Sequence, residues 1–197
     1  DVLGSRGLGD VYKRQVLLVI LLLLIVAAGG FISVYEGRFQ TISSIQKVTD
    51  YDEYNLYRMD VKYDYDLDRL IEYGITDNQS FVDAIVKEAL PILPVHIKAP
   101  DFGCSAFTLQ EADGNVLMGR NYDFKRDTSA MLVYCEPKGG YKSVAFAALD
   151  NISANIPDAS MKKKLATLTA PFICLDGMNE KGVSIAVLTL DLSLIHI

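Results

Sequence analysis

"CSAFTLQEADGNVLMGRNYDF", residues 104–124, reads as a strand, a turn and a second strand. Two apolar-rich runs flank Asp113, Gly114 and Asn115, residue types that tolerate positive φ in a tight hairpin. The rest of the chain keeps to this short period, with strands expected over Met131–Cys135, Ser143–Ala148, Phe172–Leu175 and Val183–Leu190. One helix is expected near Asp158, with Met161, Leu165 and Leu168 on a single face. The pattern is α+β and dominated by antiparallel strands. It covers about ninety residues, short of the roughly 100 to 150 of an ordinary domain, so the second half of this domain is expected to be missing.

Further out, both ends look foreign. "DVYKRQ" (residues 10–15) and "LSLIHI" (residues 192–197) are encodable by strings that are reverse complements of each other. Residues 1–15 and 192–197 are therefore expected to be adapter-derived, with the native reading running from Val16 to Asp191. The whole chain has a formal net charge of −6, and setting the first fifteen residues aside makes it slightly more acidic. That balance argues against a nucleic-acid partner, which needs clustered Lys and Arg. Without His196 the native reading holds one histidine, His96. Sites built on several His, and Ser-His-Asp catalysis, then lack their material. No metal or organic cofactor is expected.

Residues 16–35 open on thirteen residues without a polar side chain, Val16–Ala28. Twenty helical residues span roughly the 30 Å of a bilayer core. The segment is expected to anchor the chain in a membrane, leaving the rest on the far side of it. A cleaved signal, with small residues at "VAAGG", gives a secreted product instead. Residues 36–103 are acidic and hold six of the eleven tyrosines between Tyr51 and Tyr73. Tyr, Leu and Ile are too frequent there for disorder. A helix is expected to start at Ser80–Asp83 and to carry Val82, Ile85, Val86 and Ala89 until Pro91. The segment reads as a small folded or docked prosegment ending in the extended "PILPVHIKAP".

Cys104 has two readings. A cysteine on an apolar strand is ordinarily a packed thiol, a description that suits Cys135 and Cys174, which in an exported protein are alternatively a disulfide pair. Its neighbours favour chemistry. With no histidine at hand, a cysteine nucleophile needs another base, and an α-amino group with a pKa near 8 is neutral at pH 7 more than about a hundred times as often as a lysine. Cutting the chain between Gly103 and Cys104 supplies that amine on the same residue as the thiol. Gly103 lacks a Cβ, which leaves its carbonyl open to attack. The thiol attacks that carbonyl, an N to S shift forms a thioester, and water completes the cut. Arg120 offers a guanidinium, worth about 4 kcal/mol to a thiolate at about 4 Å and an effective dielectric near 20. Asp123 offers an acceptor for the new amine. Taken by themselves, both read first as a surface ion pair beside a hairpin.

Together, "GCSAFTLQEADGNVLMGRNYDF" and the later "DGMNEKGVSIAVLTL" resemble the choloylglycine hydrolase family of linear amide C-N hydrolases, a group with an N-terminal nucleophile. The resemblance runs from about Cys104 to Asp191. It implies an αββα sandwich whose N-terminal half is present in residues 104–191, which here follow the transmembrane helix and prosegment read above. It implies Cys104 as the catalytic nucleophile, with Arg120 in "GRN" and Asp123 at the matching spacings, and hydrolysis of a small-molecule N-acyl amide. Thr189 stands where bile acid hydrolases carry an Asn that helps hold the oxyanion; its hydroxyl offers one hydrogen bond at that oxyanion or substrate-binding position, and its different shape weighs against bile-acid specificity. Asn179, in "NEKG", is read as a turn residue. An acyltransferase on the same site and a non-catalytic, membrane-anchored binding module are the rival readings, and assembly into a homo-oligomer is left open.

Overall fold

The computed structural model describes residues 3–52, 54–97, 104–122 and 128–187; for residues 3–9, 104, 105, 121 and 122 it describes the backbone. The fold is α+β, as expected. Its first element, α1 (Leu3–Ser43), is a single helix of 41 residues, about 60 Å long at 1.5 Å per residue. Every Val, Leu and Ile from Val16 to Val26 is exposed, so the helix is apolar on all sides rather than along one stripe. Such a surface suits lipid, and by length and composition α1 is the helix among the described residues able to cross a bilayer. It extends past both ends of the expected segment 16–35. The chain divides after Gly37 into two compact units.

The second unit begins with the last turn of α1, where buried polar groups tie that turn to residues 62–89. The Arg38 side chain donates to the carbonyls of Glu88 and Ala89 at 2.7 Å each, and its guanidinium lies 4.7 Å from the centre of the Tyr63 ring. Thr41 Oγ1 accepts from Lys62 N at 2.7 Å. The arginine contacts satisfy orphan carbonyls at the end of the helix that carries Glu88 and Ala89.

A six-stranded sheet forms the centre of this unit. Its strands are β1 (Gln46–Lys47), β2 (Leu56–Asp60), β5 (Ala130–Cys135), β6 (Ser143–Ala148), β7 (Asp176–Asn179) and β8 (Ser184–Ala186), in the spatial order β1-β2-β5-β6-β7-β8. All neighbours are antiparallel except β2 and β5, which pair in parallel from Leu56 opposite Ala130 to Asp60 opposite Tyr134. A separate two-stranded sheet is the hairpin β3 (Cys104–Gln110) and β4 (Val116–Tyr122).

Alternation decides which face of the large sheet is covered. Met131, Val133 and Cys135 point one way along β5, and Tyr57 and Met59 point the same way along β2. They form one core with Val61, Tyr63, Ala89, Leu90, Ala147, Leu149, Ile152, Leu168 and Ala170. The layer over it includes α2 (Leu67–Glu72), α3 (Asn78–Ala89), α4 (Met161–Ala166) and a 3-10 segment over Thr167–Phe172. Of segment 36–103, the described residues supply two strands of the sheet and six side chains of the core.

Several expected boundaries shift, each for a local reason. The helix over 78–89 starts before Ser80: Asp77 is its N-cap and Ser80 its third residue, each side chain bonding the other's backbone N–H in a reciprocal box. The helix expected near Asp158 starts at Met161, capped by Ser160, and lasts six residues; Met161 is exposed while Leu168 is fully buried. Phe172–Leu175 is not a strand. Pro171 sits inside the 3-10 segment, and the hydroxyls of Thr167 and Thr169 bond back to the carbonyls of Lys164 and Ala166, so pairing resumes only at Asp176. Of Val183–Leu190, Ser184–Ala186 are strand, and Thr189 with the residues from 188 onward lies outside the described residues.

Cys135 and Cys174 are free thiols, not a disulfide. Burial pushes the Cys135 thiol above its ordinary 9.0, and Cys174 further still; burial also raises the phenols of Tyr63 and Tyr65 above 10.0. All four groups hold their protons more tightly folded than unfolded. Their contribution to stability is therefore complete below the unfolded values and declines as pH rises above them. The expected result is a urea midpoint that shows no loss from these groups at neutral pH and falls above about pH 9. A midpoint unchanged to pH 11 would show that these groups ionise as freely in the fold as outside it.

Candidate active site

The hairpin β3–β4 presents two faces. Its turn closes with Glu111 N donating to Asn115 O at 2.8 Å and Gly114 N to Glu111 O at 3.0 Å. Gly114 has φ +91°, a conformation that glycine adopts without the penalty other residues incur. The register sets Cys104 opposite Tyr122, Ala106 opposite Arg120, Thr108 opposite Met118 and Phe107 opposite Gly119. Gly119 leaves room for the Phe107 ring to lie across it: a Cβ there would lie 2.3 Å from the ring tip, so a larger residue would turn that exposed ring aside. Because side chains alternate, positions 104, 106, 118 and 120 share one face, and positions 107, 109, 117 and 119 share the other. Phe107, Leu109 and Leu117, on that second face, are exposed. Position 104 is diagonal to position 120, a separation of about 7 to 8 Å between backbones that a long side chain bridges.

The first face looks into a cavity of about 380 Å³ lined by Met118, Arg120, Ala130, Phe146, Leu175 and Asp176, among others. Ala130 and Phe146 belong to the side of the large sheet turned away from its core. The cavity is therefore apolar apart from Thr128 and one ion pair. Arg120 Nη1 lies 3.3 Å from Asp176 Oδ2, with side chains 7% and 14% exposed. Arg120 Nη2 donates to Val187 O at 2.9 Å. Asp176 Oδ1 in turn accepts from Phe146 N at 3.2 Å. A buried guanidinium needs a counter-charge and hydrogen bonds to offset its desolvation, and Asp176 with the Val187 carbonyl supplies both.

Of the residues singled out in the sequence, the backbone of Cys104 and the whole of Arg120 are described and stand on one hairpin face. Gly103, Asp123 and Thr189 lie outside the described residues. Asn179, expected as a turn residue, is instead the last residue of β7, paired with Ser143; its Oδ1 accepts from Lys181 N and Val183 N at 3.0 Å each, closing the β7–β8 turn. His96 is on the surface, 3.6 Å from Asp83. Cys135 and Cys174 have thiols held protonated by burial, and the Cys174 sulfur contacts Ala170 O at 3.1 Å, so neither is suited to act as a nucleophile. Among the described residues no three His, Cys, Asp or Glu cluster tightly enough to hold a metal ion.

Asp176 is the residue that sequence reasoning passed over. It stands 56 positions after Arg120, and nothing in local spacing joins the two. Two signals were available: Asp176 opens the second quoted motif, and Arg120 stands on a strand face that is otherwise apolar, which calls for a carboxylate somewhere in the fold.

No curated protein and no solved structure matches the chain. A family model does, over residues 104–194, a little under half of the chain. The match begins at the first residue of β3 and takes in the hairpin, the Arg120–Asp176 pair and the strands around the cavity. The portion of the chain that builds the cavity is thus a match to the linear amide C-N hydrolases of the choloylglycine hydrolase family.

Proposed function

We propose that the chain is a precursor of a hydrolase of linear, non-peptide amide C–N bonds whose nucleophile is the thiol of Cys104. The single observation that carries this reading is where the family match starts: at residue 104, a cysteine, on the hairpin face that also holds Arg120. Before cutting, the thiol attacks the Gly103 carbonyl, and the N to S shift yields a thioester and a free α-amine on Cys104. Water then releases residue 103 as a carboxylate. In turnover the α-amine takes the thiol proton, and the thiolate attacks the substrate carbonyl. The leaving amine receives that proton as the tetrahedral intermediate collapses to an acyl-thioester. Water, deprotonated by the same α-amine, frees the acid and the thiol.

Arg120 stabilises the thiolate, Asp123 orients the α-amine, and donors around Thr189 hold the oxyanion, where a single donor is worth about 3 kcal/mol. The largely apolar cavity supports an N-acyl amide whose acyl group is hydrocarbon-like. The exposed apolar face of Phe107, Leu109 and Leu117 supports the αββα sandwich, since such a face is what a further layer covers. In the same reading residues 16–35 anchor the enzyme in a membrane, with the folded unit outside the cytoplasm.

The test is product analysis on the full-length chain with N-acyl amides of short and long acyl groups. The expected result is release of free amine and free acid in equal amounts. With an added amine acceptor, acid should remain the dominant product; a dominant new amide would assign an acyltransferase. Processed protein that releases no amine from any member of the series would support the binding-module reading.

A further inference from the structure

The proposed reaction needs the Arg120 guanidinium aimed at one atom, and the Arg120–Asp176 pair bears on how that aim is kept. An arginine side chain has several rotatable bonds, and a charge that wanders by a few ångströms loses most of its field at a given atom. Here both ends of the fork are held. Nη1 meets Asp176 Oδ2 at 3.3 Å and Nη2 meets Val187 O at 2.9 Å. Asp176 is itself fixed: its Oδ1 accepts from Phe146 N at 3.2 Å, and its backbone lies in register between Phe146 of β6 and Ala186 of β8. The carboxylate thus joins the central sheet to the hairpin strand that carries Arg120 and pairs with the strand beginning at Cys104.

Resting on the reading of Cys104 as nucleophile, we propose that Asp176 is a positioning residue, which clamps Arg120 between β7 and the Val187 carbonyl so that its charge is directed at position 104. A carboxylate beside a guanidinium has two opposed effects on a nearby thiolate. Its charge weakens the field of the arginine, whereas its hydrogen bond confines the arginine to one place. In a clamp, confinement is the larger effect. The two have opposite signs in one measurement, because removing a mere counter-charge would strengthen the pull on the thiolate.

The measurement is the rate at which iodoacetamide alkylates Cys104 at pH 7 in the full-length chain, read by peptide mass mapping and compared among the parent, Asp176→Asn, Asp176→Ala, Asp176→Glu and Arg120→Ala. Cys135 and Cys174, whose thiols burial holds protonated, serve as controls for an intact fold because they should stay unmodified. Arg120→Ala is expected to slow alkylation about tenfold or more. Asp176→Asn and Asp176→Ala are expected to slow it severalfold with the two control thiols still protected, and Asp176→Glu to recover part of the loss. Asp176→Ala added to Arg120→Ala should slow it no further.

Faster alkylation in Asp176→Asn would overturn the proposal in favour of a plain counter-charge, and an unchanged rate in Asp176→Asn or Arg120→Ala would also overturn it. Should Asp176→Ala expose the control thiols, the decision rests on Asp176→Asn and Asp176→Glu. Amide turnover, measured separately, isolates the underlying reading. A parent that hydrolyses no amide but shows the expected alkylation series retains the clamp and loses the hydrolase.

Discussion

Replacing Cys104 with alanine is expected to give a chain that stays in one piece and hydrolyses no amide. In the proposed reaction the same sulfur opens the Gly103 carbonyl and later attacks the substrate, so one substitution removes both events. Loss of a nucleophile from a cooperating set costs on the order of 10⁴-fold or more in turnover. Intact mass separates the two events: the parent should yield a fragment beginning at Cys104, and Cys104→Ala should yield none. Cys104→Ser sharpens the comparison, since a hydroxyl at that position attacks more slowly without altering the hairpin. Full amide turnover in parent protein whose 103–104 bond is still intact would remove the α-amine from the mechanism and sink the reading.

The second expectation concerns segment 36–103. After a cut at residue 104 it should remain bound to the rest, since it is held by a full parallel pairing of β2 with β5 and contributes Tyr57, Met59, Val61, Tyr63, Ala89 and Leu90 to the core. The two pieces should elute together on a sizing column in native buffer and separate only in denaturant. Expressed from Cys104 alone, the remainder should fail to fold, because β5 would present an open edge and Met131 and Val133 would lose their cover. A milder variant, Met59→Ala at a fully buried site, should cost about 2 to 5 kcal/mol against a total stability of about 5 to 15. An N-terminal piece that leaves the column separately while the remainder stays folded would make the segment a dispensable prosegment.

Much of the site was legible because its parts are close in sequence. The hairpin over 104–122 follows from alternation and a glycine-centred turn, and both are properties of a few neighbouring residues. The strands at 130–135 and 143–148 lie where alternation put them, within one residue. The failures share a cause as well. Phe172–Leu175 looked like a strand by composition, but Pro171 and two threonine back-bonds favoured a 3-10 path. Met161 fell on an apolar helical face in the sequence, yet the helix is too short to bury it.

From the chain of letters alone came the α+β class, a helix long and apolar enough for a bilayer, and the spacing of Cys104, Arg120 and Asp123 that pointed to the family matched over 104–194. Periodicity, turn chemistry and spacing are local, and local signals survive without coordinates in space. Only tertiary structure decided that Arg120 meets Asp176 and that β2 runs parallel to β5. Those partners are separated by 56 and by about 74 residues. Over such distances the partner is chosen by burial and by the need to match a charge, and a one-dimensional pattern encodes neither.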